Sequence, residues 1–178
     1  NNTMAIMGGK VGIGTTSPDT LLEISKASAN AEVTISAYHD TEATTPKLTM
    51  RKADNTEASP ALVDNNAVLG TIAFQGYDGS GWEEGARIEA RIEGTPSDGS
   101  DMPSELTFWT TPNASATAVQ HLVIDSSGRV GIGATEPEGI LHVEYSSAAY
   151  IKVFKNNSSI TNHEYLGGLI IGATENGT

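Results

Sequence analysis

The sequence contains one segment twice, and this repeat restricts the architecture more than any single motif does. The first copy runs from Val11 to Ile24 and the second from Val130 to Val143. The offset is 119 residues, and seven of the fourteen aligned positions are identical. Both copies consist of Val-Gly-Ile-Gly, a proline four residues later and a short apolar run. We call each copy a joint and predict that the joints connect β-modules arranged in series.

Each joint is predicted to begin with a hairpin, because apolar runs flank a turn at Gly8-Gly9 and at 125–128. Branched residues then alternate with glycine, so one face of the strand is bare. Glycine weakens a strand unless another backbone comes close, and we expect a neighbouring chain to pack there. Pro18 and Pro137 predict a short helical turn before the chain resumes as a strand. The residues predicted to pack the joints are Val11, Gly12, Ile13, Gly14, Val130, Gly131, Ile132 and Gly133.

The region between the joints has the period-two alternation that is typical of half-buried antiparallel strands. In the clearest run, 86–93, Ala and Ile alternate with Arg and Glu. The predicted strands are 32–38, 47–52, 68–75, 86–93, 105–110 and 118–124, with polar loops between them. We therefore predict an all-β fold with a β-sandwich-like module. The predicted segments are a joint at 1–25, the module at 26–121, a second joint at 122–145 and the truncated start of another module at 146–178, with strands at 149–154 and 166–171.

The composition leaves little material for a core within one chain. Leu, Ile, Val and Phe make up about one fifth of the 178 residues, and the formal net charge is -12. Chains with few large apolar residues and a high net charge struggle to fold alone, yet regular alternation is not a property of disorder. We therefore predict an obligate oligomer, in which each copy buries part of its core against other copies.

Charge and composition also exclude several functions. A nucleic-acid partner requires basic residues that neutralise phosphates, and an anionic membrane surface is disfavoured for the same reason. No run approaches the ~18 apolar residues of a membrane span, and no signal peptide is recognisable. The chain has no cysteine, which removes disulfides, thiolate metal sites and cysteine nucleophiles. We expect the chain to be a fragment of a longer protein.

No catalytic or phosphate-binding motif fits the sequence. The glycines around Lys10 resemble a phosphate-binding loop, but Val11 stands where such a loop needs Ser or Thr. None of the four histidines has a metal-ligand partner at short spacing, and His142 aligns with Glu23, which favours a solvated position. Four carboxylates lie close in sequence, and a glycosidase needs two at a set separation, but a solvated acidic face is the simpler interpretation. These are Glu83, Glu84, Glu89 and Glu93.

Aromatic residues are the best candidates for a ligand surface, because an aromatic face offers a large contact area at low entropic cost. Tyr77, Trp82 and Trp109 are the candidates for contact with a glycan, and a place in the core or a subunit interface is the simpler interpretation. Of Phe108 and Trp109, one is predicted to face outward or into a subunit contact. No cofactor is predicted. The alternative left open is a Ca²⁺ ion near Asp78, or near Asp98 and Asp101.

A set of short runs resembles the shaft modules of bacteriophage tail fibres. The runs are 69–74, 78–81, 84–90, 102–103, 106–108, 110–111 and 122–133, beginning with Leu-Gly-Thr-Ile-Ala-Phe and ending with Leu-Val-Ile-Asp-Ser-Ser-Gly-Arg-Val-Gly-Ile-Gly. The resemblance covers most of residues 4–145 and extends to phage-derived trimeric adhesins of bacteria. Such modules often precede a C-terminal self-cleaving chaperone domain, and the sequence shows no counterpart of that domain.

The resemblance implies an elongated, parallel homotrimer in an extracellular virion tail fibre, with a structural or host-attachment role. The implied partners are the chain itself, other fibre modules and a host surface polysaccharide, and no catalytic residue is implied. Two alternatives stay open: a trimeric adhesin on a bacterial surface, and a tailspike that depolymerises glycans.

Overall fold

The computed structural model describes residues 4–40 and 43–146, apart from the side chain of Met7, and has β-strands and no helix in those ranges. The strands are β1 (Met4–Met7), β2 (Lys10–Ile13), β3 (Leu22–Ile24), β4 (Asp54–Thr56), β5 (Ser59–Ala61), β6 (Val68–Tyr77), β7 (Trp82–Ile92), β8 (Ser104–Thr110), β9 (Val119–Ile124), β10 (Val130–Ile132) and β11 (Leu141–Val143). The all-β prediction is confirmed. The strands predicted at 149–154 and 166–171 lie outside the described residues.

The chain divides into two units between Thr49 and Met50. The first unit contains a three-stranded sheet in the order β1-β2-β3, antiparallel between β1 and β2 and parallel between β2 and β3. The second contains a six-stranded sheet in the order β11-β10-β9-β8-β7-β6 and a separate hairpin, β4-β5. Strands β6 to β10 pair antiparallel in sequence order, and β11 pairs in parallel with β10. Strand β9 runs across the boundary predicted at 121–122, so the second joint continues the sheet of the module.

The two joints have the same topology, as their sequence repeat suggests. Gly12 and Gly131 occupy the same central position, each paired antiparallel with the preceding strand and parallel with the following one. The equivalent hydrogen bonds that start the parallel pairs are Val11 N to Leu21 O at 2.8 Å and Val130 N to Ile140 O at 2.9 Å. The sequence repeat therefore corresponds to a structural repeat.

The helical turn predicted after each proline is wrong: residues 14–21 and 133–140 form bends without a helix. Each of these segments connects two parallel strands, a connection that usually takes a dozen or more residues. A helix advances ~1.5 Å per residue and an extended chain ~3.3 Å, so a connection this short has to stay extended. Pro18 and Pro137 are buried within it.

Two predicted strands do not form, and one predicted loop contains a hairpin. Residues 32–38 and 47–52 carry no strand, and their side chains are exposed. Alternation makes a segment suitable for a sheet but does not supply the partner that a ladder needs. In the polar segment 53–66, β4 and β5 form a hairpin in which Thr56 pairs with Ser59. Asn55 has a φ of 68°, a conformation that asparagine tolerates better than most residues.

The core of the second unit is small, as the composition suggests. The buried apolar side chains in the described residues are Val63, Ile92, Val123 and Ala134, and the side chains of Thr107 and Pro137 are also fully buried. The long strands β6 to β9 lie in one layer, whereas a sandwich has two. A sheet buries its apolar face against another layer, so an apolar face that the described residues leave exposed is a candidate interaction surface.

Candidate functional site

The register assigns the side chains of the six-stranded sheet to two faces, because residues paired across antiparallel strands point the same way. Ile72 pairs with Ile88, Ile88 with Phe108, and Phe108 with Leu122. The apolar face consists of Ile72, Phe74, Ala86, Ile88, Ala90, Ile92, Leu106, Phe108, Leu122, Ile124, Val130, Ile132 and Leu141. The polar face consists of Arg87, Glu89, Arg91, Glu105, Thr107, Trp109, Val123 and Gly131. The alternation predicted for 86–93 is confirmed.

On the polar face, charged side chains are paired with one another. Glu89 is 7% exposed and lies between two arginines, with Arg87 Nε 3.2 Å from Oε2 and Arg91 Nη2 2.8 Å from Oε1. Arg87 Nη1 also lies 2.6 Å from Glu84 Oε1. Buried charges are tolerated when they are paired and hydrogen-bonded, and this network satisfies that condition within one chain.

Trp109 is part of the same network. The guanidinium carbon of Arg87 lies 4.0 Å from the centroid of the Trp109 ring, within the range of a cation–π interaction. Trp109 Nε1 donates to Thr107 Oγ1 at 2.8 Å, and Thr107 Oγ1 donates to the Glu89 carbonyl at 3.2 Å. Of the neighbours Phe108 and Trp109, Trp109 therefore lies on the polar face and Phe108 on the apolar face.

Glu105 extends the network to β8. Burial raises the pKa of this carboxyl group, and Arg91, 3.6 Å away, acts in the opposite direction. The negative charges of Glu93, Glu89 and Asp125 add to the upward shift.

The described residues cover this apolar face only in part: Ile92 at one end is fully buried and the Met50 side chain lies against Gly70. The side chains of Ile72, Phe74, Leu106, Phe108, Ile124, Ile132 and Leu141 are between 36% and 57% exposed. Large apolar side chains exposed on several neighbouring strands are unusual for a protein that works alone, and they typically mark an interaction surface. Among the described residues, the charged groups of the polar face thus have partners, whereas much of the apolar face is exposed.

The two joints expose the same apolar side chains. Ile13 and Ile132 are 44% and 43% exposed, and Leu22 and Leu141 are exposed to a similar extent. Val11 and Val130 are half-buried. The match between two copies in different units indicates that this exposure is a property of the joint.

The glycines of the joints have a reason within their own chain. A Cβ on Gly12 would lie 2.6 Å from Thr15 O, and one on Gly131 would overlap Ala134 O. Gly14 and Gly133 adopt φ values of 82° and 77° and lie against the carbonyls of the residues that follow the parallel strands, Ser25 and Glu144. The bare face that the sequence assigns to a neighbouring chain is therefore filled by the chain's own connection. Packing of joints between chains stays a prediction.

Polar residues of the joint hold the same connection. Lys10 Nζ donates to the carbonyls of Pro18 and Asp19 at 3.1 and 2.9 Å, which ties this lysine to the connection. Glu23 Oε2 accepts a bond from Asp19 N at 2.8 Å, and in the second joint His142 Nδ1 accepts one from Glu138 N at 3.4 Å. The histidine and the glutamate thus play the same structural role, which the sequence comparison alone did not reveal.

Tyr77 and Trp82 lie at the end of the β6–β7 hairpin. They pair across the strands, their rings meet edge to face at a centroid distance of 5.7 Å, and both are exposed. A cleft of about 320 Å³ beside them is lined by Asp78, Glu83, Glu84, Thr111, Ser115 and Ala116. This aromatic pair is separate from Trp109, which is engaged by arginines.

The positions considered for calcium are turns. Asp78 Oδ1 accepts bonds from Ser80 N, Ser80 Oγ and Gly81 N, and the bond from Ser80 N is the main reason that the pKa of Asp78 is lowered. Asp98 and Asp101 lie in a turn in which Asp101 bridges to Ser97. In residues 4–40 and 43–146 no group of three or more metal-ligating side chains is arranged to hold an ion, and calcium binding stays untested.

No helix in those ranges is long and apolar enough to cross a lipid bilayer.

Asp125 organises the turn of the second joint. Its Oδ1 accepts bonds from Ser127 N and Arg129 N, and its Oδ2 lies 2.7 Å from Arg129 Nε. Burial alone would raise the pKa of Asp125, but the bonds from Arg129 and Ser127 outweigh it and hold the pKa below its usual value. Glu93 Oε2 accepts a bond from Ser126 N, which ties this turn to β7.

Comparison with known proteins identifies the fold. No protein-family profile matches the chain, and no curated protein matches it in sequence. Among solved structures, the carboxy-terminal domain of the bacteriophage T5 L-shaped tail fibre superposes with a TM-score of 0.57 at 16% identity, covering 79% of this chain and 51% of that one. The same domain with its intramolecular chaperone domain gives a TM-score of 0.56 at 15% identity, covering 70% of this chain and 37% of that one. The chain therefore has the fold of a phage tail-fibre domain and spans about half the length of the fibre structure it matches. The resemblance noted in the sequence is confirmed at the level of fold.

Proposed function

We propose that this chain is a structural segment of a virion tail fibre and assembles as a parallel homotrimer with the apolar faces turned inward. The observation that carries the proposal is the contrast between the faces of the six-stranded sheet. One face has its charges paired and its polar atoms bonded, and on the other the described residues leave seven large apolar side chains between 36% and 57% exposed. The shared fold with a tail-fibre domain supports the same role.

The energetics favour association through the apolar face. Covering the exposed half of a large apolar side chain such as Phe74 or Ile72 stabilises by about 1 kcal/mol, and several such residues lie on each copy. Association through the polar face would remove water from Glu89, Arg87 and Arg91 without giving them better partners, which is costly for charged groups. The apolar face is therefore the interface, and the polar face lies outside.

The mass of the 178-residue chain in solution tests this proposal. Sedimentation equilibrium at micromolar concentration is expected to give three times the mass of one 18.6 kDa chain. A stable, folded monomer, with the sheet intact by circular dichroism and the apolar face open to solvent, would overturn the proposal.

We further propose that the aromatic pair Tyr77 and Trp82 provides contact with a host surface glycan. Both rings are exposed at the end of a hairpin, and a sugar ring stacks on such a surface through its C–H groups. A glycan array is expected to show retention that Trp82→Ala removes and Trp109→Phe preserves, since Trp109 lies elsewhere on the sheet. Equal retention by both variants would place the glycan contact outside this pair.

The proposed role is structural and includes no catalysis. The carboxylates Glu84 and Glu89 are engaged by arginines, an arrangement that suits a stabilising network better than a glycosidase pair. Incubation with host capsular polysaccharide is expected to release no reducing ends. Any sustained release would favour the depolymerase alternative.

A further inference from the structure

We infer that the outer edge of β1 is a docking site for one further antiparallel β-strand, supplied by a preceding module of the same kind in the same polypeptide. The inference deepens the proposed function and rests on it for the arrangement of modules in series. It depends on an internal comparison: the second joint has this strand, and the first joint, within the described residues, does not.

In the second joint the incoming strand is β8. Strand β9 lies between β8 and β10, with Leu106 paired with Ile124 and Phe108 with Leu122. In the first joint, β1 corresponds to β9, because Met4 and Ile6 pair with Ile13 and Val11 as Leu122 and Ile124 pair with Ile132 and Val130. Yet β1 is the edge of its sheet.

The backbone of β1 offers the hydrogen bonds that such a strand needs. In the second joint, Asp125 N donates to Arg129 O and Gly133 N donates to His121 O, so the odd-numbered residues of β9 face β10. Because successive residues of a strand point their backbone groups in opposite directions, Leu122 and Ile124 face β8. The equivalent residues Met4 and Ile6 then direct their N–H and C=O groups to the open edge.

Side-chain burial supports the same conclusion. Ile6 is 71% exposed, whereas its equivalent Ile124 is 38% exposed. Ala5 is half-buried, whereas its equivalent Val123 is fully buried. An open, apolar strand edge attracts unwanted pairing, and proteins usually cover or charge it. The stretch Met4-Ala-Ile6 carries no charge and is not covered by another described strand, which indicates that a partner strand belongs there.

The chemistry of the partner follows from β8. It is an antiparallel strand that places apolar residues opposite Met4 and Ile6, as Phe108 and Leu106 stand opposite Leu122 and Ile124. Opposite Ala5 it places a small polar residue, as Thr107 stands opposite Val123. A fusion with a copy of Val68–Ala118 placed directly before Asn1 recreates this arrangement. Three residues then separate the copied Ala118 from Met4, as three residues separate Ala118 from Leu122.

Amide hydrogen exchange of this fusion tests the inference. In the 178-residue chain the Ile6 amide is expected to exchange at least ~10-fold faster than the Ile124 amide, since edge amides lack a partner. In the fusion the Ile6 amide is expected to slow to the rate of Ile124. A control fusion with proline in place of the added copies of Leu106 and Phe108 is expected to leave Ile6 fast, because proline cannot donate to a ladder.

Two outcomes would overturn the inference. An Ile6 amide that stays fast in the fusion, while Ile124 is protected, would show that the edge does not accept this strand. An Ile6 amide already protected in the 178-residue chain would show that the edge is occupied without the added strand. The mass of the assembly is measured separately by sedimentation, so failure of the trimer proposal and failure of strand docking are distinguishable.

Discussion

The two faces of the six-stranded sheet differ in how far their side chains are satisfied by contacts within the chain. On the polar face the chain supplies its own partners: Glu89 lies between two arginines, Thr107 bridges Trp109 to the backbone, and the connection after β10 covers Gly131. On the apolar face, Phe74, Ile72 and Leu141 remain between 45% and 57% exposed among the described residues. Polar groups need directional bonds, which one chain satisfies best, whereas apolar surface needs only contact, which another chain provides equally well.

This difference predicts that substitutions on the two faces affect different properties of the protein. A change on the apolar face is expected to alter assembly and leave the single chain folded. A change on the polar face is expected to alter the stability of the sheet and leave the interface chemistry intact. Substitutions on each face therefore test the division between them.

The largest effect is expected from a charge on the apolar face. Phe74→Asp removes about 1 kcal/mol of apolar burial per copy and places a carboxylate in the proposed interface, where it has no partner. Sedimentation is expected to show complete loss of the oligomer at micromolar concentration. The matched control is Ala73→Asp, one residue away on the other face and paired in register with Arg87, which is expected to keep the mass of the wild type. Oligomers of equal mass in both variants would contradict an interface on the apolar face.

The next effect concerns the cover of the polar face. Gly131→Ala adds a Cβ that would overlap Ala134 O and lie 2.9 Å from Val123 Cγ1, and overpacking of this kind costs about 1–3 kcal/mol. Chemical denaturation should report this loss. Gly76→Ala is the control, since Gly76 is also in a strand and nothing lies within 4 Å of its added Cβ; it is expected to be neutral or slightly stabilising. Equal losses of stability in the two variants would mean that the connection after β10 leaves room for a side chain at position 131.

Much of the second unit could be predicted from the sequence, for a physical reason. Strands β6 to β9 contain runs in which apolar and polar residues alternate, most clearly 86–93, and alternation indicates that one side of a strand is solvated and the other is dry. The same signal was misleading at 32–38 and 47–52, because it describes a single strand and contains no information about a distant partner. The sequence does not predict hairpin β4–β5, because Asp54 and Asn55 are residue types that are typical of loops.

The site was predictable in part. The exposed pair Tyr77 and Trp82 and the apolar face could be expected from residue type and spacing. The role of Trp109 could not, because its contact with Arg87 depends on the register between two strands, which no local pattern encodes. The glycines of the joints were recognised as places of close approach, but the approaching carbonyl of Ala134 belongs to a connection that the sequence suggested would be helical.

A smaller effect is expected from the buried threonine of the polar face. Thr107→Val keeps the shape of the side chain and removes the Oγ1 that accepts from Trp109 and donates to Glu89. The loss leaves a partly buried donor without its partner, at a cost of about 1–2 kcal/mol. Thr71→Val is the control, because Thr71 points to the same face, opposite Glu89, but is exposed. Denaturation midpoints that shift equally would assign the effect to valine itself and not to the hydrogen bond.

The smallest effect, and the most specific, concerns the turn that ends β9. Asp125→Asn keeps an acceptor for Ser127 and Arg129 but removes the charge that holds Arg129 Nε. The pKa of Asp125 is lowered in the folded chain, so the ionised carboxylate stabilises the fold above its unfolded pKa, and this stabilisation is lost as the pH falls through the folded pKa. The thermal midpoint of Asp125→Asn should therefore lie below that of the wild type at pH 7, and the two should converge in acid. The turn at Asp125 is held by bonds within one chain, so Asp125→Asn is not expected to change assembly. The double variant Phe74→Asp with Asp125→Asn is therefore expected to show the same assembly defect at pH 7 as Phe74→Asp alone. A gap between wild type and Asp125→Asn that persists unchanged to pH 2 would mean that the shape of this turn, and not the charge of its carboxylate, sets its contribution.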